Sequence, residues 1–199
     1  MKNAFLIISV ALTLAAVLPY IRDILRGTTK PNIVSWMTWT LLTGIATIAE
    51  ISAHDYKTAI FTFSATLETL SIVLLGLRYG YAKYSKFDAI CQIASLSGFL
   101  FWWLFSSPAA AVIAVVIIDF IGALPTVRHS YLAPAEETWS AFALACAGGI
   151  FVILALNSFN WASLTYPIYV VIINAAIVGT ILKMRRTLLP KPKLQRARP

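Results

Sequence analysis

The stretch Leu124-Pro125-Thr126-Val127-Arg128 repeats, at an offset of 106 residues, the pattern of Leu18-Pro19-Tyr20-Ile21-Arg22. Each closes an apolar run, and each is followed by a short polar turn. Beyond the turns the likeness resumes. Pro31, Ser35, Trp36, Trp39 and Leu41 are matched at an offset of 103 by Pro134, Thr138, Trp139, Phe142 and Leu144. Gly76 and Gly179 keep that second offset. Self-similarity at a fixed offset is the mark of one supersecondary unit used twice. The two proline segments therefore occupy corresponding places in two copies.

Working outward from them, seven apolar runs come into view: 4–20, 33–53, 58–77, 89–106, 109–127, 139–156 and 161–182. A bilayer core needs roughly 20 apolar residues per helix. The chain is 59% hydrophobic and only 12% charged over 199 residues, with mean hydropathy +0.80. A soluble domain carries about a quarter charged residues, and a disordered chain needs low hydrophobicity. Both are excluded. Strands in lipid must close into a barrel with alternating polarity, and these runs do not alternate. The expected fold is an all-α integral membrane protein with seven transmembrane helices. The first run follows Lys2 like a signal peptide, but Leu18, Pro19 and Tyr20 make a poor cleavage site. It is read as a span.

Charge sets the expected orientation. Fourteen of the 16 Lys and Arg residues fall on one side of such a bundle, and only Lys2 and Lys57 on the other. The positive-inside rule then places the N-terminus outside and the C-terminus in the cytoplasm. The basic tail, 185–199, reads as a topology anchor beside anionic lipid, and no nucleic-acid partner is expected.

Runs one to three match runs five to seven, and run four has no counterpart. Three is odd, so a single intervening helix is what restores the same orientation to the second copy. The expectation is two parallel three-helix repeats, 1–80 and 108–184, joined by a linker helix in 81–107. Each repeat resembles a PQ-loop unit: a helix with proline near its cytoplasmic end, a basic loop, a Ser or Thr, then a second helix. The whole layout resembles the SWEET sugar transporters and their half-sized bacterial relatives, and also the lysosomal cystine exporter group. The proline is followed here by Tyr20 and Thr126 rather than by glutamine, and spans two and six lack a proline.

That resemblance implies alternating access to a solute site between the repeats, with Pro19 and Pro125 as hinges that close the inner gate. It also implies a sugar-binding asparagine in the third helix of each repeat. Only Asn174 stands at that depth in the second repeat, facing Glu68 at one offset and Ser71 at the other. The residues supply further candidates of their own. Glu68 and Asp119 lie near the middle of their spans without a basic partner, and a carboxyl at that depth is a functional candidate. It can take up and release a proton as water access changes sides, or act as interhelical glue. Polar stripes at helical spacing run through Trp36, Thr40, Thr43, Thr47 and Glu50, through Ser64, Glu68 and Ser71, and through Asp119, Gly122 and Thr126. Trp36 and Trp139 correspond across repeats and could form a paired inner gate or an interfacial anchor.

No GxxxxGK[ST] loop, metal-spaced His/Cys cluster or persuasive Ser/His/Asp set is present. No cofactor or enzymatic activity is expected. The absence of an N-x-[ST] sequon points to a bacterial inner membrane. The expected partners are a small polar solute, the lipid bilayer and protons. Both repeats lie in one chain, so a pathway would not need a second copy, and self-association stays open. A non-transporting scaffold or receptor on the same fold is the alternative.

Overall fold

The computed structural model describes residues 2–52, 54, 56–104 and 108–188, with side chains except at 57–61, 101–104, 108, 109 and 162. Seven α-helices make up almost all of the described residues: α1 Lys2–Leu25, α2 Ile33–Ser52, α3 Tyr56–Tyr79, α4 Lys86–Leu104, α5 Pro108–Leu132, α6 Trp139–Ala155 and α7 Trp161–Leu188. A 3-10 turn, Pro134–Glu136, precedes α6. The basic tail beyond Leu188, the end of the fourth apolar run and the Lys57 side chain lie outside the described residues.

Each apolar run occupies one helix, but the helices run past the expected ends. α1 continues to Leu25, and α5 to Leu132. Pro19 and Pro125 are therefore interior to their helices. Each removes an amide donor and crowds the preceding turn, so each is a bend point and not a terminus.

Among the described residues, three helical segments are long and apolar enough to cross a membrane: Lys2–Leu25, Ala110–Leu132 and Ser163–Leu188. Trp139–Ala155 is apolar but has 17 residues. α2 dilutes its hydropathy with Thr38, Thr40, Thr43 and Thr47. Those hydroxyls return to carbonyls one turn back, as in Thr38 to Val34, Thr40 to Trp36 and Thr47 to Thr43, which lowers their cost in an apolar surrounding. Large apolar side chains face outward in quantity: Ile7, Leu18, Ile48, Ile90, Ile93 and Leu100 are each about two-thirds exposed. A water-soluble monomer rarely tolerates so much contiguous apolar surface.

α1 packs on α6, α2 on α3, and α6 on α7. α5 touches α7, α2 and α4, while α3 touches both α1 and α2. Small residues permit the close crossings. A methyl on Gly122 would sit 2.5 Å from Thr38 Cγ2, and one on Gly148 2.7 Å from Thr13 Oγ1. Ser9 Oγ also donates to the Gly148 carbonyl at 2.9 Å. The buried core joins Tyr20, Ile24, Trp36, Ile72, Phe142 and Ile177 across α1, α2, α3, α6 and α7.

Candidate functional site

A cavity of about 240 Å³ lies within the bundle. α1, α2, α3, α5, α6 and α7 all line it, and α4 contributes none of its described side chains. Four of the residues singled out from sequence meet there: Trp36, Glu68, Asp119 and Asn174. They share it with Trp39, Thr43, Phe142 and Tyr166.

Two candidates do not line it. Ser71 turns its hydroxyl back to the Leu67 carbonyl at 2.6 Å. Trp139, at the start of α6, is 41% exposed, and the ring that α6 gives to the cavity is Phe142, one turn further on. A Trp36–Trp139 pair is therefore not formed at the cavity. Trp36 instead packs at a tilt against Tyr20 at 4.8 Å and meets Trp39 edge-on, also at 4.8 Å.

Asp119 is buried and has two donors. Trp39 Nε1 reaches Oδ1 at 2.7 Å, and the Tyr166 hydroxyl reaches Oδ2 at 3.2 Å. Sequence reasoning found no basic partner for Asp119 and passed over these neutral ones. Tyr166 carried a signal, because it shares a helical face with Val170, Ile173, Asn174 and Ile177, all of which line the cavity. Glu68 is half-buried and takes no hydrogen bond from the described side chains. Asn174 donates through Nδ2 to its own Val170 carbonyl at 2.8 Å, leaving its side-chain oxygen as an acceptor.

The predicted stripe on α2 divides between two tasks. Trp36 and Thr43 face the cavity. Thr47 and Glu50 bind α3 instead, with Thr47 donating to Thr62 at 3.0 Å and Thr62 donating to Glu50 at 2.5 Å.

At one end of the bundle, two turns meet in a polar cluster that the sequence did not announce. The turns, 26–32 and 133–138, follow α1 and α5. The Thr29 and Thr138 hydroxyls lie 2.6 Å apart, and Thr138 donates to Asp23 Oδ2 at 3.0 Å. Lys30 pairs with Glu136 at 2.5 Å and also donates its amide to the Glu136 carbonyl. Arg185, late in α7, donates to the Pro134 and Glu137 carbonyls at 2.9 and 2.6 Å. Glu137 is fully buried and accepts from the Tyr20 hydroxyl at 2.9 Å. Burial pushes its carboxyl up to about 8, against the opposing pull of the Tyr20 hydrogen bond. Tyr20 in turn accepts from Trp36 Nε1 at 3.2 Å. A chain of hydrogen bonds thus runs from the cavity wall to the turns.

The chain matches no family model, no curated protein and no solved structure.

Proposed function

We propose that this protein is a seven-helix, PQ-loop-type membrane protein that passes a small polar solute across the bilayer by alternating access. In this reading α1–α3 and α5–α7 are parallel repeats, α4 is the linker, and both turns face the cytoplasm of a bacterial cell. The neighbour pattern supports the duplication. Exchanging α1, α2 and α3 for α5, α6 and α7 turns the α1–α6 contact into α5–α2, α2–α3 into α6–α7, and α1–α3 into α5–α7. All of these contacts are present.

The observation that carries the reading is the cavity, lined by six helices and by none of the described side chains of α4. A linker has no reason to touch a pathway formed between two repeats. Pro19 and Pro125 stand inside α1 and α5, where bending could open or seal the turn end. Glu68 and Asp119 are the groups through which proton linkage would act.

The test is cysteine accessibility in oriented vesicles, with Cys91 and Cys146 replaced by alanine. Thr43→Cys and Asn174→Cys should react with a membrane-impermeant thiol reagent added from either side. Protection from both sides in folded protein would remove the transport reading and favour a scaffold with a sealed centre.

A further inference from the structure

We infer that the cavity recognises a compact organic ammonium ion rather than a sugar; the inference rests on the reading of the cavity as a solute site. Charge comes first. Two carboxyl side chains line the cavity, and no Lys, Arg or His does among the described residues. The two carboxyls have different amounts left to offer. Asp119 already accepts from Trp39 and Tyr166, so it fixes two rings by their polar ends. Glu68 accepts from no described side chain and is the open carboxyl.

Hydrogen-bond capacity argues the same way. Most of the lining hydroxyls have spent their protons: Thr43 on the Trp39 and Thr40 carbonyls, Thr69 on the Ala65 and Thr66 carbonyls, and Tyr166 on Asp119, which leaves Thr13. Asn174 spends an amide proton on Val170. What remains to a ligand is mostly acceptors: the threonine oxygens, the Asn174 side-chain oxygen and the Glu68 carboxyl. A sugar's hydroxyls can donate to these acceptors, but their many oxygens also accept, and few donors remain here to meet them. A protonated amine needs only acceptors and negative charge, and a quaternary ammonium ion needs only the charge and the rings.

The walls complete the match. Trp36, Trp39, Phe142 and Tyr166 bring four aromatic rings to the cavity, and rings attract organic cations through their faces. An inorganic divalent ion would need six or more oxygen ligands, and the apolar lining does not supply them. A volume of about 240 Å³ limits the guest to a few carbons around the nitrogen.

Tryptophan fluorescence of the full chain in lipid nanodiscs tests this, since Trp36 and Trp39 line the site. The probes are choline, its neutral carbon isostere 3,3-dimethylbutan-1-ol, and glucose. Choline should bind roughly tenfold or more tightly than the isostere, and glucose should bind more weakly than either. Glu68→Gln should erase the preference for choline, Glu68→Asp should keep part of it, and Glu50→Gln, outside the cavity, should keep all of it. Equal binding of choline and the isostere, or tighter binding of glucose, overturns the cation inference while leaving a solute pathway standing. If no probe binds, the cation inference falls as well, and thiol accessibility alone then decides the transport reading.

Discussion

The turn end and the central cavity both gather polar side chains among apolar helices, yet they treat them differently. At the turn end most of the groups answer one another, although Glu137 Oε1 is buried without a hydrogen-bond partner. Thr138 meets Thr29 and Asp23, Lys30 meets Glu136, Tyr20 meets Glu137, and Arg185 closes over two carbonyls. In the cavity Glu68 has no such partner, and Asn174 keeps an oxygen free. Mutual satisfaction holds structure together, whereas unspent capacity at depth awaits something else. The contrast separates residues whose loss should cost stability from residues whose loss should cost function.

The largest expected effect tests the structural half. The Glu137 carboxyl rises from 4.5 to about 8 on burial, with Tyr20, Glu136 and Arg185 around it. The folded protein therefore holds that proton more tightly than the unfolded chain does. Its contribution to stability is complete below about pH 4.5, declines as pH rises to about 8, and is flat above. The decline is on the order of a few kcal/mol. Thermal unfolding in nanodiscs should show Tm falling from pH 5 to pH 8 more steeply in wild type than in Glu137→Gln, with solute binding kept in the variant. A Glu137→Gln protein that melts normally but binds no solute would break the contrast.

The functional half comes next in size. Glu68→Gln should lose the solute-driven current on a solid-supported membrane by roughly tenfold, about 1.4 kcal/mol, with little change in Tm. Asp119→Asn sharpens the comparison, because Asp119 belongs to both classes. Its amide replacement can still accept from Trp39, but it turns a donor toward Tyr166. It should therefore lower the current and also destabilise by about 1–3 kcal/mol. A Glu68→Gln protein that loses stability as Asp119→Asn does would place Glu68 with the structural groups.

Which parts were legible in the sequence follows the same division. Helices were readable because a long apolar run has few alternatives in lipid. Glu68, Asp119 and Asn174 stood out because polar groups at mid-span are rare. Trp139 misled, since correspondence between repeats fixes a position along a helix but not the neighbour that faces it. The contact passed to Phe142 as α6 packed on α1. The turn-end cluster was hidden for a different reason. Glu137 and Arg185 lie in stretches where charged residues are ordinary, and 48 positions separate them. Only the fold shows that one carboxyl there is buried.

The smallest effect concerns the two prolines. Beside Pro125, the Thr126 amide donates to Ser35 Oγ on α2 at 3.2 Å, and both residues are fully buried. A proline perturbs the backbone ladder around it, and a side chain from a neighbouring helix can take up a displaced donor. Thr138 stands 103 residues after Ser35 in the repeated sequence pattern, but its hydroxyl serves Asp23 and Thr29. These two positions thus brace the bend at Pro125 and staple the turns beside Pro19. Ser35→Ala should cost about 1 kcal/mol of stability. If the bond exists because of the proline, the same change in a Pro125→Ala background should cost less, and a double-mutant cycle on Tm reads the difference. Equal costs in both backgrounds would mean that Ser35 merely joins α2 to α5, and that of the two prolines only Pro19 has a polar device near it.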